Sequence, residues 1–427
     1  MVVIDFSAGQ PQKFARLYTK STVFSCVFLF DLCLRSAYDK NMIIPNYKNG
    51  SIVNLMASLA NALGGKSRYN PLKGLNEEDL AGKSIILIVL DGLGYNFLQK
   101  YGKNSFLKKN LKGKMTSVFP STTASAITTF TTGLAPQEHA LTGWFMYLKE
   151  INKVTAALPL IPRGQKKPIK ISEEKAKEIY NFKSFFENIK VPSYIITHRD
   201  YIYSVYNKAI ARRAKKIPNK SLANFFSQIR KTINNNSKRK YIYAYWGGLD
   251  SVCHRKGTAS RDAVKHFREL DKRMKSLAEF LEDKNTTAII TADHGQIDTK
   301  EKNKMIRLEN YPEFINFLEL PLCGEPRVAY CYVKKSKMKQ FENYIRNNFG
   351  KMCWLFKSGE LVRKNFFGLS MPSKKLASRI GDYILVMKDN YAIKDFVPGE
   401  ELKIFIGNHG GVSSQEMFVP LIIFSEK

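Results

Sequence analysis

Short apolar runs that stop on a polar residue recur along the chain. Ser84–Leu90 reads SIILIVL and stops at Asp91. Val191–Thr197 stops at His198, Tyr241–Trp246 runs toward Asp250, and Thr286–Ala292 stops at Asp293. Runs that are apolar on both faces mark buried parallel strands covered by helices. Between them the period changes. From Ala259 to Asp283 the residues Val264, Phe267, Leu270, Met274, Leu277, Phe280 and Leu281 recur at spacings of mostly three and four, which predicts a helix with one buried face. Strand–helix alternation predicts an α/β fold with a mostly parallel central sheet flanked by helices. Ligands of such sheets bind beyond the carboxyl ends of the strands. Asp91, Asp250 and Asp293 are therefore expected on one rim.

The texture changes from about 300 to 380. Arg327–Val333 and Cys353–Phe356 read as strands, Ser336–Asn348 as a helix, and Asp382–Met387 returns to strand. This predicts a small α+β cap inserted into a domain spanning 42–427. Residues 1–41 read as an appendage, with Met42 an alternative start. Their apolar run, Val23–Phe30, is interrupted soon after by Asp31 and Arg35. It falls well short of the ~20 apolar residues needed to cross a bilayer. No transmembrane anchor is expected. The expected compartment is the cytoplasm, or the periplasm or exterior if that run acts as an export signal.

Composition adds two points. Lys and Arg number 68 against 37 Asp and Glu, a formal charge of +31, while hydrophobic residues make up 44%. The apolar share excludes a wholly disordered chain. The charge invites a nucleic-acid reading, most of all in 207–240, which carries eleven Lys/Arg and no acid. Leu222, Phe225, Phe226 and Ile229 have helical spacing there, so a solvated helix face also accounts for the stretch. The six cysteines, Cys26, Cys33, Cys253, Cys323, Cys331 and Cys353, form no CxxC pair. That argues against a disulfide framework or a thiolate zinc site and fits a reducing compartment.

Five segments hold the residue types of metal sites: VLDG at 89–92, FPSTTAS at 119–125, DSVCH at 250–254, TADHG at 291–295 and GNHGG at 407–411. Imidazole with carboxylate is a ligand set for Zn²⁺, and it also suits Mn²⁺ or Fe. In this order the segments resemble the alkaline phosphatase superfamily, and within it the type I phosphodiesterases/nucleotide pyrophosphatases, over roughly 42–427. The resemblance implies two divalent metal ions, most simply zinc. Asp250, His254 and His409 would hold one; Asp91, Thr123, Asp293 and His294 would hold the other. It also implies that Thr123 is the nucleophile of a phosphoester hydrolase with a covalent phosphothreonine intermediate. Ser121, Thr122 and Ser125 offer hydroxyls nearby, and the family's Pro-x-x-Thr spacing from Pro120 selects Thr123.

Physical chemistry supports that assignment. A threonine hydroxyl is a weak nucleophile until a metal or base stabilises its alkoxide. A helix beginning near Ser121 would aim its N-terminal amides at a phosphate. One departure stands out. Nucleotide-specific members carry an Asn about twenty residues after the nucleophile, and this chain offers Trp144 at the matching place. Its indole N–H donates one hydrogen bond but cannot reproduce an amide. Phosphomonoesters, phosphonates or phosphoryl transfer within the same superfamily are the alternatives, with a basic nucleic-acid-binding protein more distant. The expected partner is a small anionic phosphoester that the positive surface steers inward. No stable nucleic-acid complex is expected.

Overall fold

The structure is a computed structural model that describes residues 42–236, 238–299 and 304–425. The Val23–Phe30 run, Cys26 and Cys33 lie outside the described residues. Among the described residues eighteen strands form two large sheets and two short ribbons. The central sheet contains β1 (Ser84–Leu90), β2 (Leu111–Thr116), β6 (Ser193–His198), β7 (Lys215–Asn219), β8 (Tyr241–Trp246), β9 (Thr286–Thr291) and β18 (Phe418–Ser425). Their order is β2-β18-β9-β1-β8-β6-β7. The run from β9 to β7 is parallel, and β18 lies antiparallel to both β2 and β9. The fold is α/β, as the alternation predicts.

The register explains the rim. Val89 of β1 pairs with Tyr245 of β8 on one side and Thr291 of β9 on the other. Three neighbouring parallel strands thus end side by side, and the residues after them share one edge. Every residue of β1 and β9 is buried, so this edge rests on a rigid, close-packed base. The long helix Arg261–Leu281 covers the sheet through Phe267, Leu270, Met274 and Leu277, all buried.

The second sheet is antiparallel throughout. It contains β3 (Phe145–Leu148), β4 (Lys153–Ala156), β5 (Ile161–Pro162), β12 (Cys323–Glu325), β13 (Val328–Cys331), β14 (Cys353–Lys357) and β15 (Tyr383–Met387), in the order β14-β15-β13-β12-β3-β4-β5. The expected insertion at about 300–380 supplies only part of it. β3, β4 and β5 join from 145–162, and β15 lies at 383–387. A separate core under this sheet gathers Phe314, Phe317, Phe341, Ile345, Phe349 and Leu385.

The ribbons pair β10 (Ile297–Asp298) with β17 (Gly407–Asn408), and β11 (Met305–Arg307) with β16 (Ala392–Lys394). The first ribbon brings the GNHGG segment back beside β9.

The basic stretch resolves in part into packing. Helix Leu222–Asn234 buries Phe225, Phe226 and Ile229. Arg239 donates to the carbonyls of Ala62, Leu80 and Lys83, and Lys240 Nζ donates to those of Thr232, Ile233 and Asn236. Lys240 thus satisfies the carbonyls at that helix's end. Among the described residues no helix is long and apolar enough to cross a membrane.

Candidate metal centre

The five segments converge on the rim. Asp91 follows β1, Asp250 and His254 lie on the helix Gly248–Lys256 that follows β8, and Asp293 and His294 follow β9. The spacing of four in DSVCH puts Asp250 and His254 on one helix face, with His254 Nε2 3.3 Å from Asp250 Oδ1. His409 follows β17, 3.9 Å from Asp250 Oδ1 and stacked on His294 with ring centroids 3.8 Å apart. Thr123 opens the helix Thr123–Thr132, and its Oγ1 lies 3.1 Å from His294 Nε2. That helix starts two residues later than expected. Ser121 stays extended, bridged to Gly410, and its hydroxyl donates to Gly411 O at 2.7 Å.

Buried side chains outside the five segments hold the acids in place. Tyr245 OH donates to Asp91 Oδ2, and Gln296 Nε2 donates to Asp250 Oδ1. Asp293 Oδ1 accepts from the amides of Gly92 at 3.1 Å and His294 at 2.9 Å. Gly92 makes this possible with φ +74°, a conformation that L side chains rarely adopt. Gly295 is needed for room, because a Cβ there would strike Gln415 O.

Donor chemistry tests whether cations fit here. His254 Nδ1 sits 2.7 Å from Gly407 O and His294 Nδ1 3.0 Å from Gly295 O, so each Nδ1 carries the proton. Each Nε2 then turns a lone pair toward carboxylate oxygen. His294 Nε2 is 3.5 Å from both Asp91 Oδ1 and Asp293 Oδ2. Those two oxygens, and His409 Nδ1, are buried without a hydrogen-bond partner. Lone pairs facing one another across a buried gap call for a cation. The titration behaviour agrees. Burial, and then the charges of Asp250 and Asp293, push Asp91 well above the usual carboxylate range. Burial, with His294 and His254 nearby, pushes His409 well below the ordinary histidine value.

Among the described residues two groups bring their ligand atoms within 4.8 Å of one another and could hold a metal ion: Asp250, His294 and His409, and Asp91, Asp293 and His294. His294 is common to both. The expected partition instead gave the first group His254, which lies against Asp250.

The sequence of this chain matches the profile of the type I phosphodiesterase/nucleotide pyrophosphatase family over residues 85–411. The chain belongs to that family. A search of curated proteins returned no match. Among solved structures, murine ectonucleotide pyrophosphatase/phosphodiesterase 5, an inactive variant in complex with AMP, superposes with a TM-score of 0.57 at 16% identity, over 79% of this chain and 87% of that one. The human protein of the same name gives 0.58 at 16%, over 80% and 88%. Phosphonoacetate hydrolase from Sinorhizobium meliloti 1021, in complex with phosphonoacetate, gives 0.59 at 15%, over 81% and 90%. These likenesses place the fold among alkaline-phosphatase-like proteins. The family supports phosphoester hydrolysis as the activity class.

A cavity of about 1110 Å³ opens over this cluster of acids and histidines. Asp91, Thr123, Asp250, His254 and His409 line it, together with Trp144, Phe145, Leu158, Tyr201, Tyr203 and Phe405. Trp144 is 37% exposed, so it stands at the rim.

The other histidines separate clearly. His198 caps the short helix Arg199–Ile202 and lines the cavity. His139 is buried, and its Nδ1 accepts from the Leu141 amide at 3.0 Å. His266 accepts from Trp246 Nε1 at 3.1 Å. Cys253 is a buried free thiol between the ligands.

Sequence reasoning missed Tyr245, Gln296 and Glu325. Glu325, in β12, is buried and accepts on Oε1 from both Thr122 Oγ1 and the Trp144 amide, the latter at 2.7 Å. Burial, opposed by those two hydrogen bonds, pushes its carboxyl up to about 7.

Proposed function

We propose that the protein is a metal-dependent phosphodiesterase with Thr123 as its nucleophile. One observation carries this reading: Thr123 Oγ1 at the opening of a helix, 3.1 Å from His294 Nε2, above buried carboxylates whose lone pairs face inward. Asp91, Asp293 and His294 would hold one divalent cation beside Thr123, with Asp250, His254 and His409 holding the second. Zn²⁺ suits that nitrogen and oxygen set best, and Mn²⁺ or Fe also fit. Such cations, when bound, stabilise the threonine alkoxide and the charge on the phosphoryl oxygens.

The chain's own residues do the rest. Tyr245, Gln296 and the amides of Gly92 and His294 hold the carboxylates still, so little reorganisation is needed during reaction. Thr123 Oγ1 bonds to phosphorus as the P–O bond to the alcohol breaks, and the threonine proton leaves with that alcohol. Water then adds to phosphorus as the P–Oγ1 bond breaks; one of its protons restores the Thr123 hydroxyl, and the phosphomonoester leaves.

Cavity size bears on the substrate. About 1110 Å³ lies at the upper end for small-ligand sites. It exceeds the needs of a two-carbon phosphonate and favours an ester with a bulky aromatic or apolar arm. Cys253, Cys323, Cys331 and Cys353 are all buried and free, which supports a reducing, cytoplasmic compartment.

The test is hydrolysis of bis-p-nitrophenyl phosphate, p-nitrophenyl phosphate and phosphonoacetate with Zn²⁺ or Mn²⁺ supplied and then chelated. The diester is expected to turn over fastest, and chelation should cut the rate at least ~100-fold. Absence of turnover on all three substrates would overturn the reading.

A further inference from the structure

Thr122 sits at the N-cap of helix Thr123–Thr132 with extended backbone, φ −136° and ψ 153°. Threonine in that position normally turns its hydroxyl back onto an amide of the first helical turn. Here it makes no such bond. The hydroxyl points outward and donates to Glu325 Oε1 instead. The ten-residue helix therefore keeps its first-turn amides uncapped. They open where Thr123 faces the metal cluster, and uncapped amides are the groups that receive phosphate oxygens at helix N-termini.

Glu325 is built for this task. It lines the cavity with Thr123 and Trp144. Among the described residues no basic side chain pairs with it: nearby Arg327 is engaged by Glu416, and Arg163 by Asp395 and Glu400. A buried carboxyl without a cation is costly, so its hydrogen bonds are its reason to be there. The same oxygen holds the amide of Trp144, which fixes the rim loop relative to the helix start. Gly410, next to His409, completes the packing, since a Cβ there would lie 2.7 Å from Glu325 Cβ.

We infer that Glu325 is a positioning residue of the phosphoryl site: it draws the Thr122 hydroxyl away from the helix cap, so the amides beside Thr123 stay open to a phosphoryl oxygen. The inference rests on the reading of Thr123 as nucleophile. Removing the carboxyl lets Thr122 fold back and cap its own helix, which closes the anion site from within. Removing the Thr122 hydroxyl as well prevents that closure.

The experiment compares wild type with Glu325→Ala, Glu325→Gln, Thr122→Val and the Glu325→Ala/Thr122→Val double variant. It reads kcat and KM on bis-p-nitrophenyl phosphate in the metal-loaded proteins. It also reads amide hydrogen exchange over 122–126 in the metal-free ones. In Glu325→Ala, kcat should fall on the order of tenfold or more with KM little changed, because the lost interaction acts in the transition state. Exchange near the helix start should slow as the new cap forms. Glu325→Gln, whose Oε1 still accepts, should keep more of the rate than the alanine variant. The double variant should regain rate relative to Glu325→Ala and lose the extra protection.

A double variant no faster than Glu325→Ala, with unchanged exchange in both, would overturn the inference and leave Glu325 a packing residue. Wild-type rate in Glu325→Ala would overturn it too. If wild type hydrolyses no phosphoester, the reading of the site fails, and exchange over 122–126 still decides whether Glu325 controls the cap. Glu325→Met replaces alanine should the smaller side chain fail to fold.

Discussion

The central sheet and the second sheet both reach the cluster of acids and histidines, by different means. The central sheet offers acids and histidines at the ends of three adjacent parallel strands, where register alone gathers them. The second sheet offers one hairpin tip, Glu325-Pro326-Arg327, between β12 and β13. Glu325 takes the loop that leads into Thr123 through Thr122. Arg327 takes the His409 loop through a bidentate pair with Glu416, both contacts 3.0 Å, while Glu416 Oε1 accepts from the Gly411 amide at 2.8 Å. The strand ends supply the acids and histidines, and the hairpin holds the loops that face them. One layer sets these groups on packed strand ends, and a separate layer fixes the neighbouring loops.

Two substitutions sharpen that division. Thr123→Ala should lower turnover of bis-p-nitrophenyl phosphate on the order of 10³-fold or more, while metal content by mass spectrometry stays at the wild-type level. Activity retained in that variant would break the assignment of chemistry to the rim. Arg327→Met is the counterpart on the hairpin. Arg327 and Glu416 are nearly inaccessible, so removing one partner leaves a buried charge uncompensated. The expected loss is about 3–5 kcal/mol of folding stability, read by urea denaturation. A loss under about 1 kcal/mol would mean that the pair is better solvated than its burial implies.

The same contrast explains what could be read from sequence. Asp91, Asp250 and Asp293 were legible because each closes or follows an apolar run, and parallel strands put their ends together. Thr123 and His409 were legible only through the resemblance, since nothing in local periodicity distinguishes Thr123 from Thr122. Glu325 was illegible. Its strand is three residues long, and its two partners lie 203 and 181 residues away in sequence. β3, β4 and β5 have four, four and two residues, below the usual strand length of roughly five or six, so they carry too little alternation to announce a sheet. Tyr245 was hidden for another reason. It is one aromatic position in a run that reads as core, and only the neighbouring strand shows its hydroxyl meeting Asp91.

His139 tests the seam between the two regions with the smallest effect. It ends the short helix Pro136–His139, between the helix Thr123–Thr132 and β3. Burial, and then the positive charge of Arg379, lowers it from 6.5 to about 3. Arg379 itself pairs with Glu150 at 2.7 Å, just after β3. Between pH 6.5 and about 3 the unfolded chain binds a proton at this residue and the folded protein does not. Folding stability therefore falls as pH falls through that window. From pH 7 to pH 5 the loss from this residue is about 2 kcal/mol. His139→Asn keeps an acceptor for the Leu141 amide and removes the titration. Its stability should depend less on pH over that interval by about the same amount, as read by denaturation in metal-free protein at both pH values. Equal slopes in the two proteins would show that His139 binds its proton alike in the folded and unfolded states, and that the acid sensitivity lies elsewhere.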